Sequence, residues 1–454
     1  MTLQETIALF CRENSLLPKN GHVLAAVSGG ADSMCMLHLL MELSRREGFI
    51  LTAAHLNHNL RGEESAEDLR FVRTHCEALG IPCICGTADV SGEVRRTGKG
   101  VEEAARDLRY AFLRKAAEDC GADSIATAHT ADDNAETMLM NLARGTGLRG
   151  LCGIPVKREC IIRPILCLTR MDVEAYLTAN GIPHREDSTN AEDTYTRNRL
   201  RHRGMPALRE LYPEITRGFF DASMLLREDE AYLSAEAQRF LAAEGQNERL
   251  SAKALAALPF PIASRVIRLC CPAELGSAHV KAVLDLCGKS NPSARLDLPG
   301  ICVRREYDEL VFGDAPQATV FPSVTLDTPE GEAELSGTNL RIRWRTLPEI
   351  QGIYKSFTSF LFKTEDICGK ITVRSRKTGD KLVLQDTGCE KTVKKLMIEH
   401  KIPACRRGIL PIAADDNGPL AVYGLARARR ALPEIGGTAL EIFFEESAAN
   451  DNAE

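Results

Sequence analysis

The sequence predicts an α/β protein: a doubly wound parallel sheet of Rossmann-like type, followed by a mainly helical domain and a small α+β domain. Three observations carry this. Val23 to Val27 is an apolar run without polar alternation, which suits a strand covered on both faces. Strand-like and helix-like patterns then alternate as far as Leu142, the order that builds a parallel sheet with ligands at the carboxyl ends of its strands. Past Leu208 the alternation gives way to helical patterns and then to short strands. At 454 residues the chain exceeds one compact core, and these shifts divide it into 1–215, 216–315, 316–447 and a polar tail, 448–454.

In chain order, Met1 to Leu17 reads as an amphipathic helix and not as a signal peptide. The strand at Val23 runs into Ser28-Gly29-Gly30-Ala31-Asp32-Ser33, after which Met34, Leu37, His38, Leu40 and Met41 recur at helical spacing, with Asp32 or Ser33 able to cap. Ile50 to Leu56 is a second strand, Glu64 to Leu79 a helix with Val72 and Cys76 on its apolar face, and Ile81 to Ile84 opens a third strand. Val101 to Cys120, Asp123 to Ala128 and Ala131 to Leu142 read as helix, strand and helix. Helical patterns around Phe219 to Leu241, Ser251 to Leu269 and Ala278 to Cys287 precede short strands at Ala294 to Leu298 and Ile301 to Phe312. A linker from Ala315 to Pro322 leads to strands at Leu340 to Trp344 and Ile371 to Ser375.

No apolar run approaches the length needed to span a bilayer, so a cytoplasmic protein without a membrane partner is expected. Sixteen cysteines include no Cys-x-x-Cys pair, and free buried thiols are the simplest reading. The net charge of −6 disguises two basic concentrations. One holds Arg197, Arg199, Arg201, Arg203, Arg209 and Arg217; the other holds Arg374, Arg376, Lys377, Lys381, Lys391, Lys394 and Lys395. Two such clusters in different domains of an acidic protein suit separate footprints on one polyanion.

The loop from Ser28 to Ser33 joins paired glycines to a helix start, the combination that cradles phosphate. It lacks the Gly-Lys-Ser/Thr ending of a Walker A loop. Asp32 would repel bound phosphates unless Mg²⁺ lay between, so a metal-bridged nucleotide is predicted, with Asp133 and Glu136, one turn apart at another strand end, as further hard ligands. Thr130 and Asp133 also fit a capping box. Glu102, Arg106 and Arg109 share one helix face, as an ion-pair ladder or as groups turned to a phosphate.

SGGADS resembles the pyrophosphate loop of the ATP-pyrophosphatase superfamily. Further blocks follow: His55-Leu56-Asn57-His58-Asn59-Leu60-Arg61-Gly62, EEAARDLRY, AHTADDNAET, the run Leu142 to Leu151, and Arg185-Glu186-Asp187-Ser188-Thr189-Asn190 leading to Tyr195-Thr196-Arg197-Asn198. In this order and spacing they resemble the tRNA(Ile)-lysidine synthases over most of residues 20 to 215, and Gly388 to Leu396 with Lys401-Ile402-Pro403 resembles their small C-terminal domain.

The resemblance implies a ligase that adenylates the wobble cytidine of a CAU-anticodon isoleucine tRNA with ATP and Mg²⁺, then attaches L-lysine, releasing AMP and pyrophosphate. Ser28, Gly29, Gly30, Ala31, Asp32, Ser33 and His55 would bind the nucleotide, with Asp32, Asp133 and Glu136 on the metal. Arg109 would offset charge on the α-phosphate, with Arg106 or the Arg197 cluster assisting, or Arg106 would take that role instead. Lysine's amine is roughly 4.6 kcal/mol from its neutral form at pH 7; His129, His58 and the carboxylate pair are the candidate bases. Arg197, Arg201, Lys391, Lys394 and Lys395 would touch tRNA, and a homodimer is left open. The alternatives are a thiolase built on the same loop, with Cys152, Cys160 and Cys167 gathered in space, and a non-catalytic tRNA-binding protein.

Overall fold

A computed structural model describes residues 2–59, 63–185, 196–245, 248–289, 294–313, 320–352 and 356–446. Glu186 to Asn190, Tyr195, Leu60 to Gly62, most of the expected linker and the polar tail lie outside them. The chain forms two compact units, Met1–Tyr232 and Leu233–Glu454.

The first unit opens with helix α1 (Leu3–Glu13), closed at its start by a Thr2–Glu5 capping box. Strand β1 (His22–Ala26), helix α2 (Ala31–Glu47), β2 (Ile50–Asn57), α3 (Glu63–Leu79) and β3 (Cys83–Thr87) follow, then α4 (Val90–Thr97), α5 (Val101–Cys120), β4 (Ser124–Ala126) and α6 (Ala131–Ala143). The sheet order is β3-β2-β1-β4-β6-β5, where β5 (Lys157–Arg158) and β6 (Ile161–Ile162) come after a short α7 (Leu148–Leu151). All pairs are parallel except β5 with β6, so the doubly wound sheet carries one antiparallel edge.

The expected absence of alternation in β1 has a direct cause. Val23 and Ala25 pack into a cluster with Met34, Leu37 and Leu40 of α2, while Leu24 enters a second cluster with Leu113, Ala116 and Ala117 of α5. Both faces are therefore dry. Helix α8 (Arg170–Ala179) packs on α2, and α9 (Thr196–Arg199), a π-turn at Leu200–Gly204 and α10 (Met205–Leu211) lead into the 30-residue helix α11 (Ile215–Glu244).

In the second unit, β7 (Arg249–Ser251), α12 (Ala252–Ala257), α13 (Phe260–Leu269) and α14 (Ser277–Gly288) precede β8 (Arg295–Leu298), β9 (Ile301–Glu306) and β10 (Glu309–Phe312). The three helices cover an antiparallel sheet ordered β7-β10-β9-β8, so this region is less purely helical than its sequence pattern suggests. Tyr307, at φ 58°, turns β9 back into β10 and splits the expected strand Ile301 to Phe312 in two. The remainder is mostly antiparallel strand, with Phe360, Phe362, Ile442 and Phe444 in its core and, among the described residues, one α-helix, Val393–Glu399.

Candidate active site

Between β1 and α2 the chain turns at Gly29, whose φ of +95° is open to glycine and strained for other residues. A side chain there would also place its Cβ 3.2 Å from Val72 of α3. Ser33, expected as a cap, braces the loop instead. Its Oγ accepts from the N–H groups of Ser28 and Gly29, both at 3.1 Å, and donates to the Gly30 carbonyl at 2.9 Å. From the other side the Arg185 N–H donates to the Gly29 carbonyl at 2.9 Å, while the Arg185 guanidinium holds Glu67 and Asp68 of α3. Among the described residues no side chain caps α2, which leaves the N–H groups of its first turn without a side-chain partner.

Asp32 lies in that turn, half-buried, with no hydrogen bond or ion pair among the described residues. Burial, then the Asp133 and Asp132 charges, push its carboxyl up to about 6. At neutral pH it is an anion short of a cation. Beside the loop, His55 donates from Nδ1 to the Val27 carbonyl at 2.8 Å, which leaves the buried Nε2 an acceptor without a partner among the described residues. Burial lowers its pKa and keeps that nitrogen bare.

The start of α6 is arranged in the opposite way. The Thr130 N–H donates to Asp133 Oδ2 at 3.0 Å, completing the capping box read from the sequence. Asp133 Oδ1 accepts from Arg197 and Arg201, both at 2.9 Å. Glu136, 1% exposed, accepts from Arg197 Nε at 2.8 Å and Arg201 Nε at 2.6 Å. Asp132 takes the Arg170 N–H at 2.7 Å and the Arg209 guanidinium. Burial acts to raise the Asp133 pKa, but Arg197, His129, the Thr130 N–H and Arg201 outweigh it and the net shift is downward.

This differs from the expected roles in two respects. Arg197 and Arg201, expected on tRNA, lie against the acidic pair, because a buried carboxylate needs a charged partner and the guanidinium fork supplies two donors at once. Asp133 and Glu136, expected around Mg²⁺, spend their oxygens on those arginines. Among the described residues no three His, Cys, Asp or Glu side chains are placed to hold a metal. The cavity between Asp32, Asp132, Glu136, Arg201 and Arg209 measures about 50 Å³. That is room for an ion or a water and not for a nucleotide. A depression of about 650 Å³ over Leu211, Tyr212 and Phe219 contains none of the expected site residues.

On α5 the ladder Glu102–Arg106 does not form. Arg106 and Arg109 are exposed and have no carboxylate partner among the described residues, and Arg106 lies 5.1 Å over the Tyr110 ring. Burial lowers His129 to about 4 against the pull of Asp133, with Arg163, Arg197 and Arg106 adding to the effect, and burial followed by Arg109 lowers His58 to about 4. Sequence reasoning missed Arg163, buried and donating to the Pro155 carbonyl at 2.6 Å, and the Asp132 partner Arg170, and it read Arg209, the other Asp132 partner, only as part of a basic concentration. None stands in a motif, so only the three-dimensional pairing marks them. In the second unit, Lys391 pairs with Glu399 at 2.6 Å, whereas Lys394 and Lys395 are exposed without an ion pair among the described residues.

Family comparisons cover the length of the chain. A PP-loop domain matches residues 2–208, a TilS substrate binding domain 250–311 and a TilS substrate C-terminal domain 371–440. A tRNA(Ile)-lysidine synthase of Geobacillus kaustophilus (strain HTA426) is 34% identical over 93% of this chain and 95% of its own. The chain belongs to the tRNA(Ile)-lysidine synthase family. Lysidine synthases of Bacillus thuringiensis subsp. konkukian and Bacillus subtilis (strain 168) are 33% and 32% identical, each with 91% of its length covered. Membership in the lysidine synthases makes the chain an ATP-using ligase built on a PP-loop domain with tRNA-directed domains behind it. The thiolase alternative has less support: Cys152 donates to the Leu148 and Leu226 carbonyls, and no cysteine cluster among the described residues is placed for a metal.

Proposed function

We propose that this chain joins L-lysine to the wobble cytidine of an isoleucine tRNA with a CAU anticodon, cleaving ATP to AMP and pyrophosphate, in the cytoplasm. The observation that carries the reading is the end-to-end match to lysidine synthases, with catalytic and tRNA-directed domains in one chain. The base carbonyl oxygen of cytosine is a poor leaving group. It attacks the α-phosphorus of ATP and expels pyrophosphate; the lysine ε-amine then attacks the base carbon and expels AMP.

The chain's own groups are suited to these steps. The uncapped start of α2 and the braced Ser28–Ser33 loop receive the pyrophosphate. Arg109, unpaired and exposed, offsets charge on the α-phosphate, with Arg106 assisting. The bare His55 Nε2 accepts a hydrogen bond from the nucleotide. Mg²⁺ fits Asp32, the one predicted ligand without a cation partner among the described residues, and when bound would neutralise phosphate charge beside that carboxylate. Asp133 and Glu136 act through Arg197 and Arg201, holding them at the mouth of the site. His129, lowered to about 4, enters as a neutral hydrogen-bonding group, since such a weak base removes little proton from an ammonium. Lys394 and Lys395 contact tRNA phosphates.

The test is incubation with ATP, Mg²⁺, radiolabelled lysine and an unmodified isoleucine tRNA bearing a CAU anticodon, beside a methionine tRNA. ATP-dependent, alkali-stable label on the isoleucine tRNA alone is the expected result. Pyrophosphate release without lysine incorporation would overturn the lysine assignment.

A further inference from the structure

One contact of the glycine loop has no part in these chemical steps. After α8 the chain returns toward the loop through Ile182, buried in the core cluster that also holds Val27 and Val72. Arg185 then lies beside Gly30 in an isolated parallel bridge, outside the strands of the sheet. Its N–H donates to the Gly29 carbonyl at 2.9 Å. Its guanidinium is held by α3, where Nε donates to Asp68 Oδ1 at 3.1 Å and Nη2 to Glu67 Oε2 at 2.9 Å. The same helix meets the loop directly, since a Cβ at Gly29 would stand 3.2 Å from Val72 and 3.5 Å from Phe71.

We propose that Arg185 is a positioning residue for pyrophosphate: anchored on α3, it turns the Gly29–Gly30 peptide so that the Gly30 N–H is presented to a phosphate oxygen. The direction follows from the trans peptide, whose carbonyl and N–H point to opposite sides. A Gly29 carbonyl held by Arg185 therefore sends the Gly30 N–H away from it. The N–H groups of Ser28 and Gly29 are taken by Ser33 Oγ, both at 3.1 Å, whereas the Gly30 N–H has a long bond to Ser28 Oγ at 3.4 Å. A phosphate oxygen displaces that long bond more readily than the two short ones. Gly30 is also the N-cap of α2, where the helix dipole favours an anion.

Stability does not account for the double pairing of Arg185. Its side chain and that of Glu67 are 38% and 48% exposed, and ion pairs at such exposure add little to folding. Two donors of one planar group, each on a separate carboxylate, fix its orientation instead. Lysine, a single point charge, meets one of the two carboxylates at a time. This role rests on the nucleotide reading of the loop given above.

Calorimetry on the full chain with Mg²⁺ tests it, using inorganic pyrophosphate, ATP and AMP against wild type, Arg185→Gln, Arg185→Lys and Asp68→Asn. Arg185→Gln is expected to bind pyrophosphate and ATP roughly tenfold more weakly, the scale of one hydrogen bond to a charged group, and AMP as wild type does. Arg185→Lys should recover part of the loss. A chain that is merely less stable would show fewer binding sites for all three ligands, with their affinities unchanged. Asp68→Asn keeps Arg185 itself and carries the same comparison if Arg185→Gln fails to fold. Wild-type pyrophosphate affinity in both Arg185→Gln and Asp68→Asn would overturn the positioning role, and so would equal losses for AMP and pyrophosphate. A wild type that binds no pyrophosphate would overturn the nucleotide reading of the loop and this role with it.

Discussion

Two helices leave the carboxyl edge of the same sheet, and their first turns are opposites. Among the described residues the turn at Ala31 has no side-chain cap, and its carboxylate, Asp32, forms no ion pair. The turn at Ala131 is closed by a Thr130–Asp133 box, and its carboxylates are covered by Arg197, Arg201 and Arg209. Both stretches look alike in sequence: a strand, a short polar loop, acidic residues, a helix. The difference teaches that a charged motif marks a site only when its charge is left uncompensated. Among the described residues the open turn keeps its carboxylate unpaired, as the proposed phosphate site requires; the closed one holds arginines.

Substitutions sharpen this contrast. Asp32→Asn should lower lysine transfer by roughly a hundredfold or more, since it removes the one uncompensated carboxylate beside the phosphates. The same change should stabilise the apoprotein. A carboxyl whose pKa rises from 3.8 to about 6 on folding costs stability as pH climbs between those values, and the cost persists above them. At pH 7 the gain for Asn is on the order of 1–2 kcal/mol after discounting for partial exposure. Urea unfolding from pH 4 to 7 checks the sign: the wild type should lose stability over that range relative to Asp32→Asn. Parallel curves would show that Asp32 is not desolvated.

Glu136→Gln should act in the opposite direction, destabilising by about 1–3 kcal/mol. It leaves Arg197 and Arg201, 39% and 29% exposed, partly unpaired but still able to reach water. A gain in thermal stability for this variant would erase the distinction between the two turns. Gly29→Ala should cost about 1–2 kcal/mol from its positive φ, with weaker ATP binding because the new methyl meets Val72. The smallest effects belong to the distant lysines. Lys394→Ala and Lys395→Ala should each reduce the slope of log K against log salt for tRNA binding by about 0.7–0.9, whereas Lys391→Ala, already paired with Glu399, should change it less.

The parallel sheet was legible because both faces of β1 are buried, which writes an unbroken apolar run into the sequence. Helix α5 was legible end to end, from Val101 to Cys120, because Gly100 and Gly121 punctuate it. The second unit was less so: Arg249–Ser251 is too short for its period to register, and its pairing with β10 depends on residues 60 positions away. At the site, residue types and loop positions could be read, but partners could not. Arg197 and Arg201 looked like a free basic face because nothing in linear spacing places them on residues more than 60 positions earlier.

The central claim is that Asp32 is the open carboxylate of the site and that Asp133 and Glu136 are already committed to arginines. Calorimetric binding of ATP with and without Mg²⁺ tests it directly, using wild type, Asp32→Asn and Glu136→Gln. The account predicts that Mg²⁺ tightens ATP binding to wild type and Glu136→Gln and has little effect on Asp32→Asn. If Asp32→Asn keeps the Mg²⁺ dependence while Glu136→Gln loses it, the assignment of open and closed turns is reversed.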